Sequence, residues 1–278
     1  MLKKTLMAGA VAAALTAPGV VLAADASPHT FAANVGLFNQ YIFRGLNQTN
    51  EDPAVQGGFD YSNNFGSGSF YIGTWLSNVA WLRDSGQYSS SSLENDWYVG
   101  VKGPVGSSDF SYDLGYLYYY YPGTVVPVIG EKGDTQEAYA ALGWKWITLK
   151  YSHGVGNKTF AVRDSSGTYY LDLSATVPFG DSGFSMIAHW GKQKYKGTDP
   201  RNAGGASNDT LYSYTDWKLG ATYDLGKASD VLKSTTLGAY YTDTNGANPL
   251  GYGDVAQGGV FPNNIAEGTF TFYLQKAF

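Results

Sequence analysis

Apolar and polar residues alternate along segments of about ten residues through most of this chain. Residues 31–43 place Phe31, Ala33, Val35, Leu37, Tyr41 and Phe43 on one side, with Asn34, Gly36 and Gln40 on the other. Residues 109–121 set Phe110, Tyr112, Leu114, Tyr116, Tyr118 and Tyr120 against Asp109, Ser111, Asp113 and Gly115. Residues 168–178 set Tyr169, Leu171, Leu173, Ala175 and Val177 against Tyr170, Asp172, Ser174 and Thr176. A period of two rather than 3.6 predicts strands. A strand of this length with one apolar and one polar face is the pattern of a membrane-crossing barrel strand. Twelve such segments are predicted, near residues 31–43, 54–62, 69–80, 95–102, 109–121, 136–143, 146–153, 168–178, 184–192, 212–223, 234–242 and 268–278.

The connections sort themselves by length. Residues 63–68, 103–108, 144–145, 179–183 and 224–233 are tight, whereas 81–94, 122–135, 193–211 and 243–267 are long and rich in Gly, Asn, Asp and Ser. Short turns on one rim and long loops on the other are expected of an up-and-down barrel with both termini in the periplasm. A sandwich with Greek-key crossovers has no reason to sort them so. The predicted fold is therefore all-β, a single antiparallel up-and-down transmembrane β-barrel of about twelve strands, with ten or fourteen also compatible.

The two ends of the chain extend this picture. Lys3 and Lys4 precede an apolar run from Leu6 to Leu22, and Val21-Leu22-Ala23 offers small residues for cleavage. Residues 1–23 read as a secretory signal and 24–278 as the barrel. The last segment carries Phe270, Phe272 and Leu274 on one face, Thr271, Tyr273 and Gln275 on the other, and then Phe278. Such a tail resembles the assembly signal of Gram-negative outer-membrane barrels, with Phe278 as the residue read by the barrel assembly machinery. Lys276 departs from that signal, which usually has an aromatic or apolar residue there.

Composition narrows the class further. The 278 residues include 0 cysteines, so an exported chain holds together without disulfides. No apolar run of about 18 residues follows the signal, which excludes membrane helices. The 23 Tyr and 7 Trp suit a membrane–water boundary, where one end of the ring is dry and the other wet. Formal net charge is −5, becoming −7 without Lys3 and Lys4, and no basic cluster offers itself to nucleic acid. Cofactor and metal sites are not expected, because there is no Cys, no paired His and no acidic loop at calcium-binding spacing. An outer-membrane hydrolase would need a serine beside a base. The local contexts of His29, His153 and His189 supply no such pair.

Turning the apolar stripes to lipid sends the opposite parity into the barrel. That face carries Asp60, Asp96, Asp113, Glu137, Asp172 and Asp216 against Lys102, Lys150 and Lys218. Two readings follow. The charges pair across the lumen and close it, or they line a water-filled pore with a mild cation preference, six acids facing three bases. The four arginines, Arg44, Arg83, Arg163 and Arg201, fall in loops or at rims, so an arginine ladder for anions is absent.

One local motif stands apart. The chain reads Tyr41-Ile-Phe-Arg-Gly-Leu-Asn-Gln-Thr49, then Pro53-Ala-Val-Gln-Gly-Gly-Phe-Asp-Tyr61, then Phe70-Tyr-Ile-Gly-Thr-Trp75. With Arg44, Gly45, Gln48, Thr49, Pro53, Gln56, Gly57 and Gly58 in order, it resembles the signature of the TorF-type porin family, exported proteobacterial barrels of unsettled substrate. The resemblance is specific over residues 35–80 and implies a porin-like role by analogy. Physically, Gly45, Pro53 and Gly57-Gly58 suit a structural hairpin, with Arg44 held by Asp60 or Asp52. Alternatively Arg44 and Gln48 point into the mouth as a filter, with Gln56 and Asp60 below. The expected function is passive diffusion of a small hydrophilic solute across the outer membrane. A non-conducting barrel that stabilises the envelope or binds a partner through its loops remains the alternative.

Overall fold

A computed structural model describes residues 27–278. The expected signal segment 1–23 lies outside the described residues. Twelve antiparallel strands form a closed barrel: β1 His29–Phe38, β2 Ala54–Asn64, β3 Ser69–Asn78, β4 Leu93–Pro104, β5 Phe110–Tyr120, β6 Thr135–Trp144, β7 Ile147–Gly154, β8 Tyr169–Pro178, β9 Phe184–Lys194, β10 Tyr214–Asp224, β11 Thr235–Asn245 and β12 Thr269–Ala277. Each strand pairs with its neighbours in sequence. The ring closes where β1 meets β12, Asn34 lying opposite Ala277 and Phe38 opposite Tyr273. Backbone hydrogen bonds between Ala33 and Phe278 extend this seam at 2.8 and 3.2 Å.

All twelve expected segments are strands, and the connections alternate short and long as the composition implied. Alternation sorts the two faces. Phe31, Leu37, Phe270 and Phe272 stand outside, 56–65% exposed, while Thr271, Tyr273 and Gln275 point inward and are buried. An apolar exterior of this extent is matched by lipid rather than by water. Trp144, Trp146, Phe179 and Phe184 flank the short-turn rim of that band, and Trp97, Trp190 and Trp217 lie toward the long-loop side. These rings are placed as an aromatic girdle at each boundary.

The first strand departs from expectation. The alternation runs on to Phe43, yet the wall ends at Phe38. Asn39 replaces the ladder there: its N–H donates to Phe272 O at 3.1 Å, and its Oδ1 accepts from Phe272 N at 2.7 Å. Beyond it the chain turns into the lumen, so Tyr41 and Phe43, assigned by parity to lipid, lie inside the barrel instead. The fourth strand also begins earlier than expected, at Leu93, which adds Glu94 to the interior.

Candidate functional site

Residues 39–53 form an inward hook. Ile42–Phe43 pairs with Leu46–Asn47, and Arg44 and Gly45 make the tip with φ of 49° and 79°. Two successive left-handed residues are what a tight two-residue hairpin needs. Gly45 serves a second purpose, since a methyl there would sit 2.5 Å from Asp216 Cβ on β10. The base of the hook is held by Gln40, whose Nε2 donates to Thr269 Oγ1 at 2.9 Å and to Phe270 O at 2.8 Å. Asn47 Nδ2 donates back to Gln40 Oε1 at 2.7 Å, and Tyr41 N–H donates to Thr49 Oγ1 at 3.0 Å.

The tip carries Arg44 across the lumen to the opposite wall. Its two terminal nitrogens donate to Glu137 at 2.9 and 2.7 Å, and one also reaches Gln193 Oε1 at 3.0 Å. The guanidinium lies over the rings of Tyr170 at 4.2 Å and Phe43 at 4.8 Å. Neither Asp60 nor Asp52 is its partner, which corrects the expected hairpin brace. The two side chains are 6% and 2% exposed, so this is a buried bidentate ion pair. Gln48 does not enter the mouth as a filter either. It is buried, its Nε2 donates to Leu46 O, and its backbone carbonyl accepts from the Ala80 and Trp81 amides, bracing the short helix Trp81–Asp84.

The other motif residues have placements of their own. Thr49 is buried at the hook base, and Pro53 O accepts from Asn78 Nδ2 at 3.0 Å. Gly57 and Gly58 allow close strand approach: a methyl on either would meet Asn34 O at 2.9 Å or Thr74 O at 3.0 Å. Gln56 points inward and is buried.

The nine charged strand residues expected in the lumen all lie on the interior face. Asp96, Asp113, Glu137, Lys150, Asp172 and Asp216 are 6% exposed or less, while Asp60, Lys102 and Lys218 are half-buried. Asp60 accepts from Tyr98 at 2.7 Å and Asp113 from Tyr71 at 2.6 Å. The lysines sit over aromatic faces: Lys150 over Tyr139 at 3.9 Å, Lys218 over Tyr240 at 5.0 Å, and Lys102 over Tyr71 at 5.2 Å. Tyrosine, first assigned to the membrane boundary, therefore supplies much of the interior chemistry. The signal was available, because Tyr98 shares the parity of Asp96 and Tyr170 that of Asp172.

His189 corrects a further expectation. Cross-strand register sets it opposite Ser174 on β8. Its Nδ1 is 3.0 Å from Ser174 Oγ and 3.4 Å from Asp172, and its Nε2 is 2.8 Å from Asp216 and 2.9 Å from Tyr170 Oη. A histidine between a serine and a carboxylate has the membership of a hydrolytic triad. The details differ. Ser174 Oγ–H donates to Asp172 Oδ1 at 2.5 Å and so points away from the histidine, and β8 pairs on both sides with β7 and β9, spending the amides an oxyanion would need. The cluster is a charge knot between two aspartates.

Above this layer the long loops interlock. Arg201 pairs with Asp199 and donates to Ile129 O and Ala161 O, both at 3.0 Å. Glu131 holds Lys158 at 2.9 Å and Arg163 at 2.5 Å. Asn208, fully buried, donates to Arg163 O and Lys196 O and accepts from Asp199 N–H. Burial pushes the Asp199 carboxyl up, but hydrogen bonds from the Arg201 side chain, the Arg201 amide and the Arg163 amide bring it down to about 2. Burial likewise opposes, and Lys158 and Arg163 outweigh, so Glu131 falls below the usual carboxylate range.

The family model described as "Bacterial protein of unknown function (Gcw_chp)" matches residues 22–278. The chain belongs to the Gcw_chp family. No curated protein matches it. Among solved structures, this Gcw_chp barrel is similar to a chain from work on in-meso crystallization of membrane proteins, with TM-score 0.47, 8% identity, and 89% and 83% of the two chains covered. It is also similar to Acinetobacter baumannii OccAB3, with TM-score 0.44, 9% identity, and 88% and 64% covered. For the outer membrane protein OprD from Pseudomonas aeruginosa the TM-score is 0.38, the identity 11%, and the shares 89% and 65%. The chain thus spans just under two thirds of OccAB3 and OprD.

Proposed function

We propose that this Gcw_chp protein is an outer-membrane channel for passive diffusion of a small hydrophilic solute, with the hook of residues 39–53 as its gate. The observation that carries this reading is the Arg44–Glu137 pair, which spans an otherwise polar interior from an inserted segment rather than from the wall. Twelve strands enclose more space than wall side chains readily fill, and the hook occupies that space where a gate would. The acids Glu94, Asp96 and Glu137 outnumber Arg44 around the hook, which favours cations once it moves. The TorF-type resemblance over residues 35–80 falls on the hook and the two strands after it, and agrees with a porin-like role. Lipid, the assembly machinery reading Phe278, and the solute are the partners this function requires. No residue in this reading supplies a catalytic step.

The alternative, a non-conducting barrel, draws support from the burial of the charged layer. Single-channel recording in planar bilayers separates the two. Removing only Arg44 strands Glu137, at about 3–5 kcal/mol for a broken buried pair, so the double variant R44A/E137Q is the cleaner test. The expected result is larger unitary conductance than wild type, with a reversal potential under a salt gradient that is cation-selective. Silence in both proteins, each inserted as a folded barrel, refutes the channel.

A further inference from the structure

The lipid-facing side of the wall carries almost no positive charge. Among the described residues, only three outward strand positions are lysine or arginine: Lys192, Lys194 and Lys276. Lys276 stands at the short-turn end of β12. Lys192 and Lys194 stand together at the long-loop end of β9, about 7 Å apart along the strand. Their neighbours fix their direction. Gln193 between them reaches Arg44 in the lumen, and Gly191 and Tyr195 are buried, so the two lysines face out. Lys196 continues the row past the strand end and is exposed.

Their level in the membrane follows from the rings below them. Trp190 precedes Lys192 on the same face and lies opposite Trp217 on β10. Tryptophans so placed mark the membrane–water boundary, and the lysines lie just beyond it, among lipid headgroups. Lys194 is held by Asp209 at 2.6 Å. Lys192 has Leu171 on one side and Thr215 on the other, and neither is a counter-charge. Lys192 and Lys196 form no ion pair among the described residues. Cations at this depth draw anionic headgroups.

A second feature narrows the headgroup. Tyr169 on β8 lies opposite Lys194 on one side and opposite His153 on β7 on the other. Tyr151, 41% exposed, stacks on His153 at 6.1 Å and lies 5.4 Å from the Tyr169 ring. Tyr151 Oη and His153 Nδ1 are 3.2 Å apart. The three rings make an outward platform with apolar faces and polar edges. A bare phosphate would need only the lysines, whereas a sugar that bears phosphate has an apolar face for the rings as well.

We propose that the outer wall of β7, β8 and β9 binds the phosphorylated sugar headgroup of a glycolipid in the outer leaflet. Lys192 and Lys196 hold its phosphates, and Tyr151, His153 and Tyr169 carry the sugar. The inference rests on the outer-membrane placement of the barrel and is independent of conduction.

The test uses the full chain refolded into phosphatidylcholine vesicles that contain bisphosphorylated lipid A, dephosphorylated lipid A or phosphatidylglycerol. Insertion is checked by heat modifiability, and lipid retained after extraction into detergent is counted by native mass spectrometry. The expected result is that wild type retains bisphosphorylated lipid A in preference to the other two. K192Q/K196Q should insert normally and retain about tenfold less, while K192R/K196R retains it. K227Q/K233Q, which removes the same charge at the short-turn rim, should match wild type. Equal retention by K192Q/K196Q overturns the proposal. So does wild type that holds phosphatidylglycerol or dephosphorylated lipid A as well as the bisphosphorylated form. A barrel that inserts and retains none of the three overturns this proposal alone. A chain that inserts into no vesicle overturns the outer-membrane reading and this proposal with it.

Discussion

Asp199 shows how far one side chain can fasten the loops. Arg201 reaches two carbonyls on neighbouring loops only because Asp199 orients its guanidinium. The Asp199 carboxyl is lowered to about 2 from its ordinary 3.8, so the stabilisation it contributes is fully present above pH 4 and is lost as pH falls through about 2. Limited proteolysis with an acid-active protease should therefore leave the loops intact at pH 5 and cut them at pH 2, while D199N is cut at both. At this scale the sequence was informative about faces and silent about partners. The side of the wall on which the buried acids stand follows from counting by two. That Arg44 would find Glu137, or His189 find Asp216, depends on pairing between distant stretches, which no local pattern encodes.

The strands reveal a recurring joint. Interior glycines lie beneath aromatic rings: Gly115 under Tyr139, Gly73 under Tyr98, Gly58 beside Trp75 and Gly191 under Tyr170. A methyl at Gly115 would come 2.5 Å from the Tyr139 ring, and at Gly73 2.5 Å from that of Tyr98. The missing side chain makes room for the ring, and from there Tyr98 Oη reaches Asp60, Tyr170 Oη reaches Asp216 and Tyr139 Oη meets Tyr71 Oη. Gly115→Val should displace Tyr139 and cost about 1–3 kcal/mol through overpacking, whereas Gly156→Ala, with no neighbour closer than 3.5 Å, should be near neutral. Unfolding midpoints in urea compare the two. Strand existence was legible because alternation persists for ten residues at a time. The hook was not, since Tyr41 and Phe43 continue the same alternation while belonging to a ribbon of their own. What separates them from the wall is the Asn39–Gln40 pair, whose amides take over the ladder's hydrogen bonds.

The molecule as a whole has two tiers of order. In the barrel every strand is paired on both sides, whereas the loops are joined through a few side chains centred on Asn208. Hydrogen exchange should find the strands slowest and the loops faster. Asn208→Ala should release residues 121–134, 155–168 and 195–213 together while leaving the strands unchanged; independent release would show that Asn208 does not unite them. The seam between β1 and β12 has a consequence in time. β1 can pair with β2 as soon as both have been made, but its other edge waits for Leu274 and Ala277. The contact that completes the ring joins the most distant parts of the chain, and so carries the largest loop-closure entropy. Until then both terminal strands offer unpaired edges that could recruit another chain. The race between ring closure and such misjoining is a hazard of assembly, and it ends only when the last strand docks.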